Sequence, residues 1–273
     1  FMKKKRKTKL NKKYIFLAGG FLVLFLGSIG LYYRLDPSLF ARISFYLDLA
    51  NPSVKVVRVQ EGLRREQVAE VMGAKLGWDA LDKEEFLKLH LDYNTPDAEG
   101  MYFPKTYLVN QNDDPTEVSA EMFEEYSKEM EDIEEVVAKK TTDRKTALII
   151  ASIIQREAAG KTDMRLISGI IWNRMNRGMK LQIDATLQYA KGNPADGWWK
   201  AVKPEDKKIK SDYNTYLYKG LPIGAISNPG PDAIFAAYNP MPTECLFYLH
   251  DRNRKIHCAK TYEGHKRNIE LYY

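Results

Sequence analysis

The sequence predicts an α+β protein with an apolar transmembrane helix near its N-terminus, a small β-α-α unit, and a larger region of mixed helices and short strands. Three observations predict it. Residues 14–33, YIFLAGGFLVLFLGSIGLYY, run for twenty positions without a charge. Residues 54–76 pass from the extended run VKVVRV to a stretch with apolar residues at helical spacing. Beyond residue 110, helical patterns alternate with short extended runs and Gly/Pro-rich punctuation, with no internal repeat.

Twenty helical residues at about 1.5 Å each cover about 30 Å, the thickness of a bilayer's hydrocarbon core. Tyr14, Tyr32 and Tyr33 suit the headgroup boundary. Eight Lys and Arg residues crowd into positions 1–13, whereas positive charge is sparse after the span. The expected topology is therefore a basic cytoplasmic tail (1–13), a membrane helix (14–33), a linker (34–53) and a body on the outer, periplasmic side of the cytoplasmic membrane. A cleaved signal peptide competes with this reading, but its apolar core is shorter and ends at an A-x-A-like site, which is not evident here. The net charge of +6 resides in the tail, and the remainder is slightly acidic. A nucleic-acid partner is thus not expected.

The body divides into residues 54–110 and 111–273. In the first part, VKVVRV reads as a strand. Residues 64–76 form a helix carrying Val68, Val71, Met72 and Leu76, and residues 83–91 a second helix. EGMYFPKTYLV (99–109) returns to extended structure after Gly100 and Pro104. In the second part, Pro115 opens a long helix to about residue 140, with Val118, Met122, Tyr126, Met130 and Ile133 along one stripe. Residues 145–159 form a helix closed by Gly160, and residues 163–177 another closed by Gly178. MKLQID (179–184) alternates apolar and polar residues like a strand with one polar face. YNTYLYKGLPIGAISNPG (213–230) is a shaped loop, and Pro231 starts a short helix. Residues 245–250 and 255–260 form a hairpin, before a terminal helix from Tyr262. Cys245 and Cys258 flank the hairpin, and an exported body permits a disulfide there. His90, His250, His257 and His265 lack metal-ligand spacing, so no metal and no cofactor are expected.

Glu157 stands three, four and seven residues after Ile154, Ile153 and Ile150, and so extends an apolar helical stripe. A carboxyl group placed there loses hydration, and its pKa rises. An acid that stays protonated near neutral pH can donate a proton to a leaving oxygen. The alternative is an outward Glu157 paired with Lys161, worth about 0.3 kcal/mol. Periodicity alone leaves both open.

ASIIQREAAG, IIWNRMNRGMKLQIDATLQYA and YNTYLYKGLPIGAISNPGPDAIFAAYNP, in that order, resemble the YceG-like family of endolytic murein transglycosylases. EGMYFPKTY and the tail LFYLHDRNRKIHCAKTYEGHKRN are similar in kind, so that the resemblance spans roughly residues 54–270. It implies a LysM-like unit at about 54–95 and a catalytic region at 111–273. Glu157 would be the single general acid and base, acting on the MurNAc–GlcNAc bond of peptidoglycan glycan strands. An internal hydroxyl as nucleophile removes the need for the second carboxylate of ordinary glycosidases. The resemblance also implies cell-wall synthases as partners. Its substrate groove falls on Gln182, Asp184, Thr186, Asn214, Thr215, Tyr216 and Asn228, with Gly224 and Gly230 allowing close backbone approach and Trp198 and Trp199 offering stacking faces. Local alternatives remain: Asp184 as a turn cap, Asn228 as a turn former before Pro229, Tyr216 as core and the tryptophans as loop anchors. Two departures from the family pattern stand out: Gln155, where many relatives carry a second Glu, and Ala185, where relatives often have Pro. A lysozyme-like hydrolase using Asp184 as second carboxylate and a non-catalytic peptidoglycan-binding scaffold are the rival functions.

Overall fold

The computed structural model describes residues 27–28, 37–88, 98–137 and 142–272. The expected membrane span at 14–33 lies outside the described residues except for the helical pair 27–28, and among the described residues no helix is long and apolar enough to cross a membrane. The chain falls into two compact units, Phe1–Val54 and Lys55–Tyr273. In the first, residues 34–53 are not a plain linker. They contain helix α1 (Pro37–Ala50), opened by a proline at a position where no amide bond is lost. It exposes Phe45, Tyr46, Leu47 and Leu49.

The second unit is a mixed α+β body with two hydrophobic cores. The smaller core is built by β1 (Val54–Arg58), α2 (Arg65–Leu76), α3 (Ala80–Phe86) and β2 (Thr106–Asn110), with β2 paired to β1. Gly77 closes α2 in the left-handed region at φ 80°, which a residue with a Cβ adopts only at a cost. Asp79 caps α3 by accepting the Leu81 and Asp82 amides. This helix ends at Phe86, short of the expected Leu91, and residues 89–97 lie outside the described residues.

Helix α4 (Pro115–Val136) is capped by Asp114 and ties the two cores together. Its stripe gives Val118 and Met122 to the smaller core and Tyr126, Met130 and Ile133 to the larger. The larger core centres on α5 (Arg144–Glu157), in which every residue from Ala147 to Ile154 is buried. Around it lie α6 (Lys161–Asn176), α7 (Asp184–Lys191) and α8 (Pro231–Tyr238). Gly160, expected from sequence to close α5, does not do so. The helix stops at Glu157, and Gly160 instead caps the start of α6.

Residues 179–184 correct a second expectation, because no strand forms there. The segment is anchored by single bonds to Thr215: the Gln182 amide donates to its carbonyl over 3.1 Å and the Ile183 amide to its Oγ1 over 3.0 Å. Gln182 takes φ 52°, which breaks the alternation a strand requires. Asp184 then begins α7. The C-terminal hairpin pairs β3 (Phe247–His250) with β4 (Ile256–Ala259) antiparallel, Cys245 and Cys258 are disulfide-bonded, and α9 (Tyr262–Tyr272) follows.

Candidate active site

Glu157 occupies the last position of α5, where the helix emerges from the core. That end of the helix carries partial negative charge from unpaired carbonyls, an unfavourable place for an ionised carboxylate. Two donors compensate in part. Tyr248 on β3 donates its hydroxyl to Oε2 over 2.7 Å, and the Ala185 amide in the first turn of α7 donates to the same carboxyl group. Burial is the largest influence on Glu157 and raises its pKa above the ordinary value; nearby Asp184 adds to the rise, whereas the two hydrogen bonds and His250 oppose it. Burial and the neighbouring carboxyl group push the Tyr248 phenol well above its ordinary range, so it stays a donor.

Asp184 is exposed and accepts from the Tyr216 hydroxyl over 2.5 Å. Burial first, and then Asp184, raise the Tyr216 pKa. Gln182, beside them, is a left-handed non-glycine residue, a conformation that costs about 1 kcal/mol. Glu157, Gln182, Asp184, Tyr216, Tyr248 and Arg174 line one cavity of about 540 Å³. Ile170, Ile171, Leu181, Ile183 and Phe247 supply apolar lining, and Lys207, Tyr262 and His265 also face it. An acid, a carboxylate, an amide, phenols and apolar faces in one cleft are the groups needed to hold a sugar and protonate its bridging oxygen.

Four other residues expected in a groove are placed elsewhere. Thr186, Asn214, Thr215 and Asn228 are at most 2 % exposed. Thr186 donates to Ile183 O and shares a hydrogen bond with Thr215, which also holds the Ile183 amide. Asn214 donates to the Lys207 and Ile209 carbonyls and accepts from the Tyr216 amide. These three shape the cleft from behind. Asn228 stitches the two cores together: it accepts from the Tyr102 amide and donates to Leu63 O and to Glu99, itself buried.

Gly230 abuts Glu61, where an added Cβ would lie 2.1 Å from its Oε1, and Gly224 packs against the Tyr213 hydroxyl. Trp199 stacks on Arg156 and donates to Gln67, while Trp198 lies against Arg64. The tryptophans are anchors outside the cavity lining. Gln155 also turns away from the cleft, bridging Glu61 and the Gly230 amide.

Sequence reasoning missed Tyr248 and Arg174. For Arg174 the signal was present: it follows Ile171, Ile170 and Ile167 by three, four and seven residues, the same spacing that singles out Glu157. For Tyr248 it was not, because only the fold brings the hairpin to α5. Among the described residues no group of His, Cys, Asp and Glu is arranged to hold a metal ion.

The fold and this cleft define a class, an α+β protein with a carboxyl group of raised pKa beside a second carboxyl group. The chain belongs to the YceG-like family, whose model matches residues 32–271. It is 30% identical over 237 residues to the endolytic murein transglycosylase of Bacillus subtilis, covering 79% of this chain and 64% of that one. It is 31% identical over 173 residues to the endolytic murein transglycosylase of Streptococcus pneumoniae, covering 63% of this chain and 31% of that one. The chain thus spans less than two thirds of the length of either relative. A crystal structure of a YceG-like protein from Listeria monocytogenes superposes with a TM-score of 0.69 at 25% identity, covering 79% of this chain and 76% of that one.

Proposed function

We propose that this chain is an endolytic lytic transglycosylase of peptidoglycan, with Glu157 as its single general acid and base. The observation that carries the reading is the half-buried Glu157 carboxyl group, its pKa raised chiefly by desolvation, on the wall of a cleft of about 540 Å³. The relatives named as endolytic murein transglycosylases supply the substrate class. Glu157 protonates the oxygen bridging MurNAc and GlcNAc. The bond to C1 of MurNAc breaks, and the C6 hydroxyl of the same sugar attacks that carbon. The Glu157 carboxylate takes the hydroxyl proton, leaving a 1,6-anhydro end and restoring the acid. A tethered nucleophile needs no activated water. Gln182, Asp184 and Tyr216 hold sugar hydroxyl and acetamido groups.

Residues 14–33 anchor the chain in the cytoplasmic membrane with the body outside, where nascent strands and their synthases lie. The β-α-α-β unit around β1 and β2 serves as a LysM-like grip on the glycan.

A second reading has its own observation. Asp184 is an exposed carboxylate in the same cleft as Glu157, the arrangement of a hydrolase in which a second carboxylate assists a water or the reacting carbon. Digestion of uncross-linked glycan strands with the purified protein, followed by mass spectrometry, tests both. Anhydro-ended fragments support transglycosylation, reducing ends support hydrolysis, and intact strands leave a binding protein.

A further inference from the structure

We propose that Arg174, assisted by Lys207, forms a subsite for a carboxylate carried by the glycan; the proposal rests on reading this cleft as the site of glycan cleavage. Arg174 continues the apolar stripe Ile167, Ile170 and Ile171 of α6 and projects into the cavity that holds Glu157. Its Nε donates to Leu246 O over 2.6 Å, and its Nη1 to Lys180 O over 3.2 Å and Leu181 O over 2.5 Å. The guanidinium carbon sits 5.0 Å from the centroid of the Phe247 ring. Every one of these partners is neutral. Among the described residues no carboxylate pairs with Arg174, and none of its hydrogen bonds uses Nη2.

A cation partly withdrawn from water, as the half-buried Arg174 is, gains from a countercharge. Burial pulls the Arg174 pKa below its ordinary value, although the group remains charged at any physiological pH. Neither of the other acids of the cleft bonds Arg174: Glu157 accepts from Tyr248, and Asp184 accepts from Tyr216. Lys207 adds a second positive group, with its Nζ 4.7 Å from the centroid of the Tyr216 ring and no ion pair among the described residues. The three anchored N–H bonds fix the plane of the fork, which leaves Nη2 preorganised for a carboxylate oxygen.

Murein supplies such a group at every muramic sugar. Its lactyl side chain ends in a carboxylate when bare, and in a peptide bearing carboxylates when substituted. Both sources present the same chemistry to Arg174.

Equilibrium binding to the full chain carrying Glu157→Gln, which does not turn over, tests the proposal with three fluorescent strands. One retains its peptides, one is stripped to lactyl carboxylates, and one is stripped and then amidated to remove the charge. A carboxylate-bearing strand should bind about tenfold more tightly than the amidated one, the gain expected of one charge-assisted pair. Arg174→Gln or Lys207→Ala, added to the same background, should shrink that ratio toward one. Preference for the bare strand assigns the lactyl carboxylate, and preference for the substituted strand over both stripped ones assigns the peptide. Equal binding of all three overturns the proposal, as does a ratio that survives both substitutions. Should Arg174→Gln fail to fold, the exposed Lys207→Ala decides alone. A wild-type protein that binds strands but releases no products loses the enzymatic reading while the binding ratio still stands.

Discussion

The Tyr248 hydroxyl donates to Oε2 of Glu157 over 2.7 Å, joining the C-terminal hairpin to the end of the central helix across 91 residues of sequence. A phenol in this position stabilises the carboxylate more than the acid, so it restrains a pKa that burial drives upward. It also fixes the carboxyl plane without itself giving up a proton.

Tyr248→Phe removes a bond that lowers the Glu157 pKa, so the pKa rises further. In the proposed mechanism cleavage begins from the protonated acid and falls as pH rises through that pKa. The alkaline limb of the pH–rate profile should therefore move to higher pH, and the plateau should fall as the carboxyl group loses its fixed orientation. An unmoved limb would show that the bond does not govern the acid.

Glu157→Gln should abolish cleavage and stabilise the fold in a pH-dependent way. The folded pKa is raised, so the folded protein holds its proton while the unfolded chain releases it above its ordinary value of 4.5. Below that value wild type and variant should melt alike, apart from any constant offset. As pH rises above it, wild-type stability declines until the folded pKa is passed, and the Tm advantage of the variant grows. Thermal melts at a series of pH values rising from about 4 read this directly.

Asp184→Asn removes a neighbouring negative charge that raises the Glu157 pKa, so the alkaline limb should shift to lower pH. Under the single-acid mechanism, reduced cleavage persists with anhydro ends. Complete loss of cleavage in a folded variant would point to the two-carboxylate alternative.

Asn228→Ala should cost about 3 kcal/mol in chemical denaturation, because the Tyr102 amide, Leu63 O and Glu99 each lose a buried partner. The position of the alkaline limb should stay where it is. A shift of that limb would instead tie Asn228 to the chemistry.

Replacing Cys245 and Cys258 by serine opens a loop with a sequence separation of 13 and should cost about 3 kcal/mol. Cys258 lies opposite Tyr248 in the hairpin register, so loosening it should also reduce cleavage at constant pH. Comparing denaturation and initial rates with and without the bond checks both effects.

How much of this could be read from the chain depends on the range of the interaction involved. The 3.6-residue periodicity of α4, α5 and α6 is a local property, and so are the turn at Gly77, the proline starts of α4 and α8 and the hairpin around residues 251–254. That same periodicity marks Glu157 as a carboxyl group on an apolar face, and its motif names the family. Alternation in MKLQID misled because period two is shared by strands and by extended segments that pair with nothing. There the left-handed turn at Gln182 and the contacts with Thr215 prevailed.

Local pattern in the sequence foretold most helices of the body, the family and Glu157 as a carboxyl group on an apolar face, since those follow from neighbours along the chain. Only the tertiary structure decided who surrounds that acid. Tyr248, Arg174 and the Ala185 amide reach the cleft from three separate elements, whereas Asn214, Thr215 and Asn228, polar residues in an equally suggestive loop, are turned inward. A buried polar group must find a partner within hydrogen-bonding distance, and packing, which sequence spacing does not encode, chooses which of them face the protein and which face the substrate.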